Sequence, residues 1–475
     1  MYKQKPKRQP TLAGSLLIFL ISISILIYCV VIEKQGPYIP LLLSSCVVLV
    51  YGWFFLGIPW HDLRISILRS ISESIEVLLI ICMIGVIIGI WIASGTIPVI
   101  IYYGLGLFST RWFFISVLLL CSLMSIITGS SWTTIGTIGL AFLGIGNGLG
   151  IPPAMTAGVI VCGAFFGDKQ SPMSDSTNFA AAVAGTDLYA HTRSMLYTTG
   201  PAYLITAAAF TAMGLFYEGA AADPTHIVQL REGLASVFWL NPVLLLPFFI
   251  LMYLIIKKFP ALPTLMASAI LGLVVTVLCQ RTTLGQALQY MYSGFECHVG
   301  IPAVDNLLTR GGMISMTGTL LIMLMSLTLA GLLHKTQVLH LIIGKLGRVT
   351  RHTSGLIITT LICTITLSFF AADPYLAMLL PAKALMEKYD RLGIDRSVLS
   401  RTLEDGGTII CPMVPWGTSG IYCATTLGMS VGTYLPFYLM GFLTPLVSII
   451  CAIIRFGVLK ADPTDLHHHK INPLL

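Results

Sequence analysis

Charge is what this chain has least of. Asp, Glu, Lys and Arg make up 10% of its 475 residues against 56% hydrophobic residues, and the mean hydropathy is +0.88. Soluble globular chains carry about a quarter charged residues, so this scarcity excludes an ordinary water-soluble fold. Paired cysteines are also missing. The eleven cysteines, among them Cys29, Cys46, Cys82, Cys121 and Cys363, stand singly in apolar runs with no Cys-x-x-Cys, which argues against a disulfide framework or a cysteine metal site. No basic patch accompanies the net charge of +7, which is spread over short stretches between apolar runs; it reads as membrane topology, not nucleic-acid recognition. A cleavage site is lacking too. The basic residues Lys3, Lys5, Lys7 and Arg8 precede an apolar run too long for a signal peptide, and no small-x-small site follows it, so a retained first helix is expected.

What is present is a succession of apolar runs near the ~20 residues needed to cross a bilayer. Leu12 to Ile32, Val77 to Ala93, Trp112 to Ile127, Pro242 to Ile256, Leu262 to Leu278 and Leu435 to Ile454 are examples. Roughly ten to thirteen spanning or half-spanning segments are expected from these lengths. The positive-inside rule places the basic N-terminus in the cytoplasm, and Arg64 and Arg69 after the second span agree. His467, His468 and His469 fall in a polar tail, where a solvated terminus is expected before a metal site.

Transporters are often two copies of one unit, so internal repetition carries information. Thr96 matches Thr336, Gly104 matches Gly344, and Ser171-Pro172-Met173 matches Cys411-Pro412-Met413, each at an offset of 240. The same register sets Gly129-Ser130-Ser131-Trp132-Thr133-Thr134 opposite Phe369-Phe370-Ala371-Ala372-Asp373-Pro374, so each copy is expected to have a long helix that breaks and restarts. The resulting division is 1–76 for N-terminal helices and an amphipathic segment, 77–218 for the first repeat, and 219–316 for linker helices. The second repeat is 317–458 and a polar tail is 459–475.

A charged side chain near the bilayer centre costs about 2.5 to 3.5 kcal/mol, so it is paired, solvated or functional. The costly residues cluster. Gly167 to Asn178 reads GDKQSPMSDSTN and places Asp168, Ser171, Ser174, Asp175, Ser176, Thr177 and Asn178 between apolar stretches. Pro172 forbids a regular helix there, and the following short segment suggests a re-entrant half-helix. Unwound backbone is tolerated at depth only where it lines a cavity or packs in protein, and its carbonyls with nearby hydroxyls suit a hard cation such as Na+. Arg401 to Thr408 leads into the Pro- and Gly-rich Cys411 to Gly420, giving a second such segment with Glu404 and Asp405 expected to face Asp168. Asp373 in the other break brings the carboxylates to four. Asp168→Asn and Asp405→Asn are each expected to abolish coupled exchange while folding survives, because an amide cannot titrate.

Other polar positions read more plainly. Glu76 fits a charge at a helix start; Glu296, His298, Asp305 and Arg310 fit a surface network; Lys383, Glu387, Lys388, Arg391 and Arg396 fit a solvated loop. Lys169 and Arg401 suit either neutralising a carboxylate or holding an anionic substrate. An intramembrane aspartyl protease would need Tyr-Asp and Gly-x-Gly-Asp, whereas Asp168 follows Phe165-Phe166-Gly167 and Tyr389-Asp390 lies in a charged stretch. No enzyme is expected, and a channel sits poorly with two discontinuous helices at mid-membrane.

Four segments carry a resemblance: GDKQSPMSDSTNFAAAVAGTDLYAHTRSMLYTT at 167–199, GTIP at 95–98, SWTTIGT at 131–137 and SRTLEDGGTIICPMVPWGTSGIY at 400–422. Together they resemble the NhaC family of sodium/proton antiporters over nearly the whole chain. The resemblance implies an all-α polytopic membrane protein with two inverted repeats and broken, re-entrant helices, and exchange of Na+ or Li+ for H+ across the cytoplasmic membrane. Similar sequences exchange organic acids, such as malate against lactate with sodium, or are credited with drug export. The implied site is Asp168, Ser171, Asp175, Ser176, Thr177 and Asn178 with Glu404, Asp405, Thr418 and Ser419, the sodium falling to Asp168, Asp175 and Asp405. No cofactor is expected beyond the transported Na+ and H+. Expected partners are membrane lipid, monovalent cations and protons, with an organic acid and a homodimer as further options and no nucleic acid. The tail after Lys460 and the segment Ala220 to Arg231 match no pattern.

Overall fold

The computed structural model describes residues 9–217, 224–257, 259–301, 304–305, 308–339, 341–343, 352–371 and 373–461. Gly344, Ala372, Ala220 to Asp223 and the His467 to His469 tail lie outside the described residues. The described chain is built almost wholly of helices, which leave no backbone group unsatisfied in lipid. Eight helices are long and apolar enough to cross a membrane, or ten if each of two bent pairs is one span.

Four helices lead in: α1 (Leu12–Leu26), α2 (Tyr38–Val50), α3 (Trp60–Glu73) and α4 (Ile75–Ala93). Then come α5 (Thr96–Leu107), α6 (Thr110–Thr128), α7 (Ser131–Thr134) and α8 (Leu140–Gly148). They are followed by α9 (Pro153–Gln170), α10 (Asp175–Ala184) and α11 (Leu188–Phe216). The middle of the chain forms α12 (Pro224–Val237), α13 (Leu246–Ile256), α14 (Ala261–Cys279) and α15 (Leu284–Ser293). The last part forms α16 (Thr317–Thr336), α17 (Thr353–Ala371), α18 (Pro374–Arg391), α19 (Arg396–Gly406), α20 (Thr418–Leu427), α21 (Val431–Tyr434) and α22 (Leu439–Ile454).

Both expected breaks are present. Gly129 takes a left-handed conformation with φ 65°, and Ser130 then caps α7 by accepting from Thr133 N at 3.2 Å. At the second break Asp373 is extended and caps α18 by accepting from Leu376 N at 2.8 Å. Ser and Asp are favoured N-caps because their side-chain oxygens satisfy an orphan backbone N–H.

Helix starts recur at a spacing of 243, not 240: 353 − 110, 374 − 131, 396 − 153, 418 − 175 and 431 − 188 all give it. The 240 register belongs to the Ser171-Pro172-Met173 and Cys411-Pro412-Met413 loops, which differ in length. The first loop is Ser171 to Ser174, whereas the second runs from Gly407 to Gly417 because α19 stops after 11 residues where α9 continues for 18. Consecutive glycines followed by Pro412 and Pro415 unwind the second crossing about two turns earlier.

The two copies are inverted, as α11 makes plain. Near its start, His191 Nδ1 meets Ser400 Oγ of α19 at 2.7 Å; just past its other end, Tyr217 donates to Gly150 O, immediately before α9, at 3.2 Å. The counterpart helices α9 and α19 therefore enter from opposite ends of α11 and run toward each other. Their half-helix partners exchange places accordingly, α10 packing on α18 and α20 packing on α7 and α8. Each half-helix has 10 residues and ends in a left-handed glycine, Gly185 at φ 64° or Gly428 at φ 71°. At 1.5 Å per residue each is about 15 Å long, half the ~30 Å hydrocarbon core.

Close backbone approach positions the crossing helices. A Cβ at Gly167 would sit 2.3 Å from Ser122 O of α6, and one at Gly163 2.7 Å from Leu118 O. Small residues at such contacts let helices pack without a hydrophobic drive.

Candidate functional site

The last turn of α9 and the start of α10 meet around Asp168. Its Oδ2 accepts from Ser131 Oγ at 2.6 Å, tying the first crossing to the first break. Ser171 Oγ donates to Ile126 O at 2.7 Å, and Thr177 Oγ1 donates to Lys169 O at 3.1 Å, so hydroxyls satisfy carbonyls where the helices end. Asn178 Nδ2 bridges back to Ser174 O and Pro172 O at 2.8 and 3.0 Å. These local bonds make the unwound stretch a fixed structure, as its Ser, Thr and Asn content favours.

A cavity of about 1300 Å³ reaches this floor. Asp168, Asp175 and Ser176 line it from the first copy; Asp373, Thr408, Thr418 and Ser419 line it from the second. The mouth is formed by Arg69 and Glu73 of α3, Glu76 of α4, His334 of α16 and Lys383 of α18. Asp175 and Asn178 are exposed, whereas Ser171, Thr177, Thr418 and Ser419 are buried.

Behind the cavity lies a closed polar layer. Lys169, Glu404 and Asp405 are fully buried, and none of them lines the cavity. Lys169 Nζ pairs with Asp405 Oδ1, which also accepts from Thr198 Oγ1 at 3.1 Å. Glu404 lies beside the hydroxyls of Thr408 and Ser176, and Asp405 Oδ2 meets no hydrogen-bond partner among the described residues. Arg401 donates to Ser194 O at 3.2 Å and Gly457 O at 2.9 Å.

Several expectations change. Asp405 faces Lys169, not Asp168, because these neighbours in the last turn of α9 point about 100° apart, Asp168 toward Ser131 and Lys169 toward α19, while Glu404 lies within electrostatic reach of both. Lys169 thus takes the carboxylate-neutralising role, while Arg401 serves backbone carbonyls. Asp405 is not the counterpart of Asp168 either, since the spacing of helix starts pairs it with Cys162 (405 − 243). Of the expected sodium ligands, Asp168 and Asp175 line the cavity, whereas Asp405 lies in the closed layer paired with Lys169. Glu76 does start a helix, but it also faces the cavity. The stretch from Lys383 to Arg391 is helix α18, not a loop; Glu387 pairs with Arg391 at 2.6 Å and Asp390 holds Arg396 through two bonds of 2.9 Å.

In the linker, Asp305 accepts from Val299 N at 2.7 Å and Gly300 N at 3.0 Å, and the Val299 bond in particular holds its carboxyl below the usual carboxylate range. Ser131, Thr198 and Thr408 were not foreseen as site residues. Ser131 and Thr198 sit inside the recognisable segments 131–137 and 167–199, and their polarity in apolar surroundings was the available signal.

Comparison with known proteins agrees with this architecture. The Na+/H+ antiporter family pattern matches residues 163–456. The Na(+)/H(+) antiporter NhaC of Alkalihalophilus pseudofirmus is 35% identical over 96% of this chain and 98% of its own length. The malate-2H(+)/Na(+)-lactate antiporter of Bacillus subtilis is 36% identical over 94% of this chain and 95% of its own. The arginine/ornithine antiporter ArcD of Halobacterium salinarum is 34% identical over 97% of this chain and 95% of its own. By a match that covers more than half the chain and by relatives similar over nearly all of it, this multi-pass membrane protein belongs to the Na+/H+ antiporter family.

Proposed function

We propose that this protein is a secondary transporter that exchanges Na+ or Li+ for H+ across the cytoplasmic membrane, with its N-terminus in the cytoplasm. The observation that carries the reading is the meeting of two unwound, oxygen-rich crossings, one open to a large cavity and one sealed around a buried ion pair. The cavity-facing Asp168, with Ser131, Ser171, Ser176, Thr177, Asn178, Thr418 and Ser419 around it, supplies the cation ligands. Asp175 and Asp373 attract cations to the floor. Glu404 and Asp405, whose charge Lys169 shares, add a buried charged layer between the copies behind Asp168, which holds the coupling charge. The repeats are taken as 77–218 and 317–458 in outline, their helices corresponding at the spacing of 243 rather than residue for residue at 240.

The cavity mouth lies on the side where α18 ends and α19 begins, the side rich in Lys383, Lys388, Arg391 and Arg396. By the positive-inside rule that side is cytoplasmic, so the cavity is an inward-facing access path. Coupling follows if proton and sodium compete for one charge, because independent sites would leak either ion alone.

The test is a proton-gradient dye assay in inverted vesicles. Na+ and Li+ are expected to dissipate a preformed gradient and K+ to act weakly. A sodium- and proton-coupled organic-acid exchange is the second reading, favoured by the similarity to the malate-2H(+)/Na(+)-lactate antiporter. It replaces the first if malate or lactate moves protons only with sodium present while sodium alone does nothing.

A further inference from the structure

The two copies differ in what they enclose. Helices α4 and α16 correspond one residue short of the common spacing, at 242: their starts give 317 − 75, and the left-handed residues just past their ends, Gly95 and Gln337, give 337 − 95. The cavity-lining Ala330 and His334 of α16 therefore match Ile88 and Ile92 of α4, and at 243 Lys383 of α18 matches Leu140 of α8. Ile88, Ile92 and Leu140 meet around a second void, completed by Ile97 and Ile101 of α5 and by Arg310. It holds about 10 Å³ against about 1300 Å³ for the cavity, and its five apolar side chains are buried. From here α8 leads to Gly150, which meets the end of α11 away from the cytoplasmic mouth, so the void lies in the outer half. Inverted repeats that expose one side at a time need the other half closed, and the void stands where the pseudo-two-fold axis puts that closed half.

Arg310 brings a charge to this apolar seam. Its backbone pairs with Phe295 through bonds of 3.1 and 3.2 Å, and Gly311, at φ 87°, sits so close to α4 that a Cβ there would lie 2.4 Å from Gly89 N. The side chain is held far less. Among the described residues no hydrogen bond or ion pair reaches the guanidinium, and Nη1 lies 4.0 Å from where a Cβ on Gly428 would stand, at the C-terminal end of half-helix α20. A cation is favoured there by the helix dipole. Half-helix α10 ends in the same way, with Arg396 Nη1 2.8 Å from a Cβ position on Gly185, but Asp390 holds Arg396 through two bonds of 2.9 Å. A carboxylate thus fixes the cytoplasmic contact, whereas the outer one parts without breaking an ion pair.

We propose that Arg310 is a positioning residue for the transport cycle: it holds the end of α20 against α4 and α5, keeping the outer half-channel shut while the cytoplasmic cavity is open. Its release lets the seam of Ile88, Ile92, Ile97, Ile101 and Leu140 part. The inference rests on the exchange reading in taking the cavity as the inward half of the path.

The experiment labels the full chain in right-side-out membrane vesicles with a membrane-impermeant thiol reagent, the native cysteines of the parent giving the background. Leu140→Cys is expected to react slowly from outside, and adding Arg310→Gln to speed that reaction about tenfold, because the charge at the end of α20 is lost. Arg310→Lys keeps the charge and should restore slow labelling. Ser194→Cys, fully buried away from the seam, should stay unreactive beside either Arg310 variant, which separates a gate from general loosening. Leu140→Glu offers the guanidinium a carboxylate and should lock the outer half, so that sodium-driven proton movement falls while a cysteine at Asp175 still labels from the cytoplasmic side. The inference is overturned if Arg310→Gln leaves outside labelling unchanged, if Arg310→Lys labels like Arg310→Gln, or if Ser194→Cys becomes reactive as well. Should Arg310→Gln yield no folded protein, Leu140→Glu decides, and undiminished exchange there overturns the inference. Sodium-driven proton movement in the parent separates the two readings. If it is present while outside labelling ignores Arg310, the gate falls and antiport stands; if it is absent while labelling follows Arg310 as described, the reverse holds.

Discussion

Asp405→Asn carries a consequence that the sequence did not suggest. The side chain keeps its shape and can still accept from Thr198, but it leaves the Lys169 ammonium without its partner at a position with no solvent exposure. Removing one member of a buried ion pair costs about 3–5 kcal/mol, chiefly because the remaining charge is uncompensated. Glu404 lies within electrostatic reach of Lys169 and takes up part of that charge, so the lower end, about 3 kcal/mol, is expected. That is about two decades in the folded-to-unfolded ratio. Lys169→Met, which strands Asp405, is expected to cost as much. The double variant Lys169→Met with Asp405→Asn removes both charges and is expected to fall within about 1 kcal/mol of the parent, as neutral replacements of buried pairs do. Denaturant titration of the four proteins in detergent closes the cycle. Single costs below about 1 kcal/mol, or costs that simply add in the double variant, would show that the pair is not coupled as described.

Asp168→Asn is expected to keep normal stability, because the amide oxygen still accepts from Ser131, and to lose sodium-driven proton movement in vesicles. Gly167→Ala should reduce folded protein, since its Cβ would lie 2.3 Å from Ser122 O and overpacking costs about 1–3 kcal/mol; size-exclusion yield reports it. A cysteine placed at Asp175, which is exposed and lines the cavity, should react with a membrane-impermeant thiol reagent from the cytoplasmic side only, whereas one at the fully buried Ser194 should not react. Glu76→Gln should retain exchange, with its salt dependence altered because the side chain faces the cavity.

Membrane class, the paired breaks and the unwound stretch at Ser171 were readable because each leaves a local mark: long apolar runs, glycine or a capping residue, and proline among hydroxyls. Asp168, Asp175, Asp373, Thr418 and Ser419 do gather on one cavity. The repeat spacing was misread because the Pro-Met motif sits in loops of unequal length, and loop residues do not fix helix register. The partnership of Lys169 with Asp405 stayed hidden because neighbours in the last turn of α9 point to different sides. Cross-copy contacts such as Thr198 with Asp405, 207 positions apart, leave no periodic signal in one sequence. Burial of Glu404 alongside exposure of Asp175 likewise follows from packing of the two copies, not from either segment alone.

The central claim is that one site couples sodium to protons through the cavity-facing Asp168. Its most direct test is radiotracer Na+ uptake into proteoliposomes holding purified protein, with internal pH recorded in parallel and the imposed gradient reversed between runs. The account predicts that an outward proton gradient drives Na+ in, that reversing it drives Na+ out, and that Asp168→Asn abolishes both fluxes together. Sodium uptake indifferent to the pH gradient, or full coupling in Asp168→Asn, would contradict it.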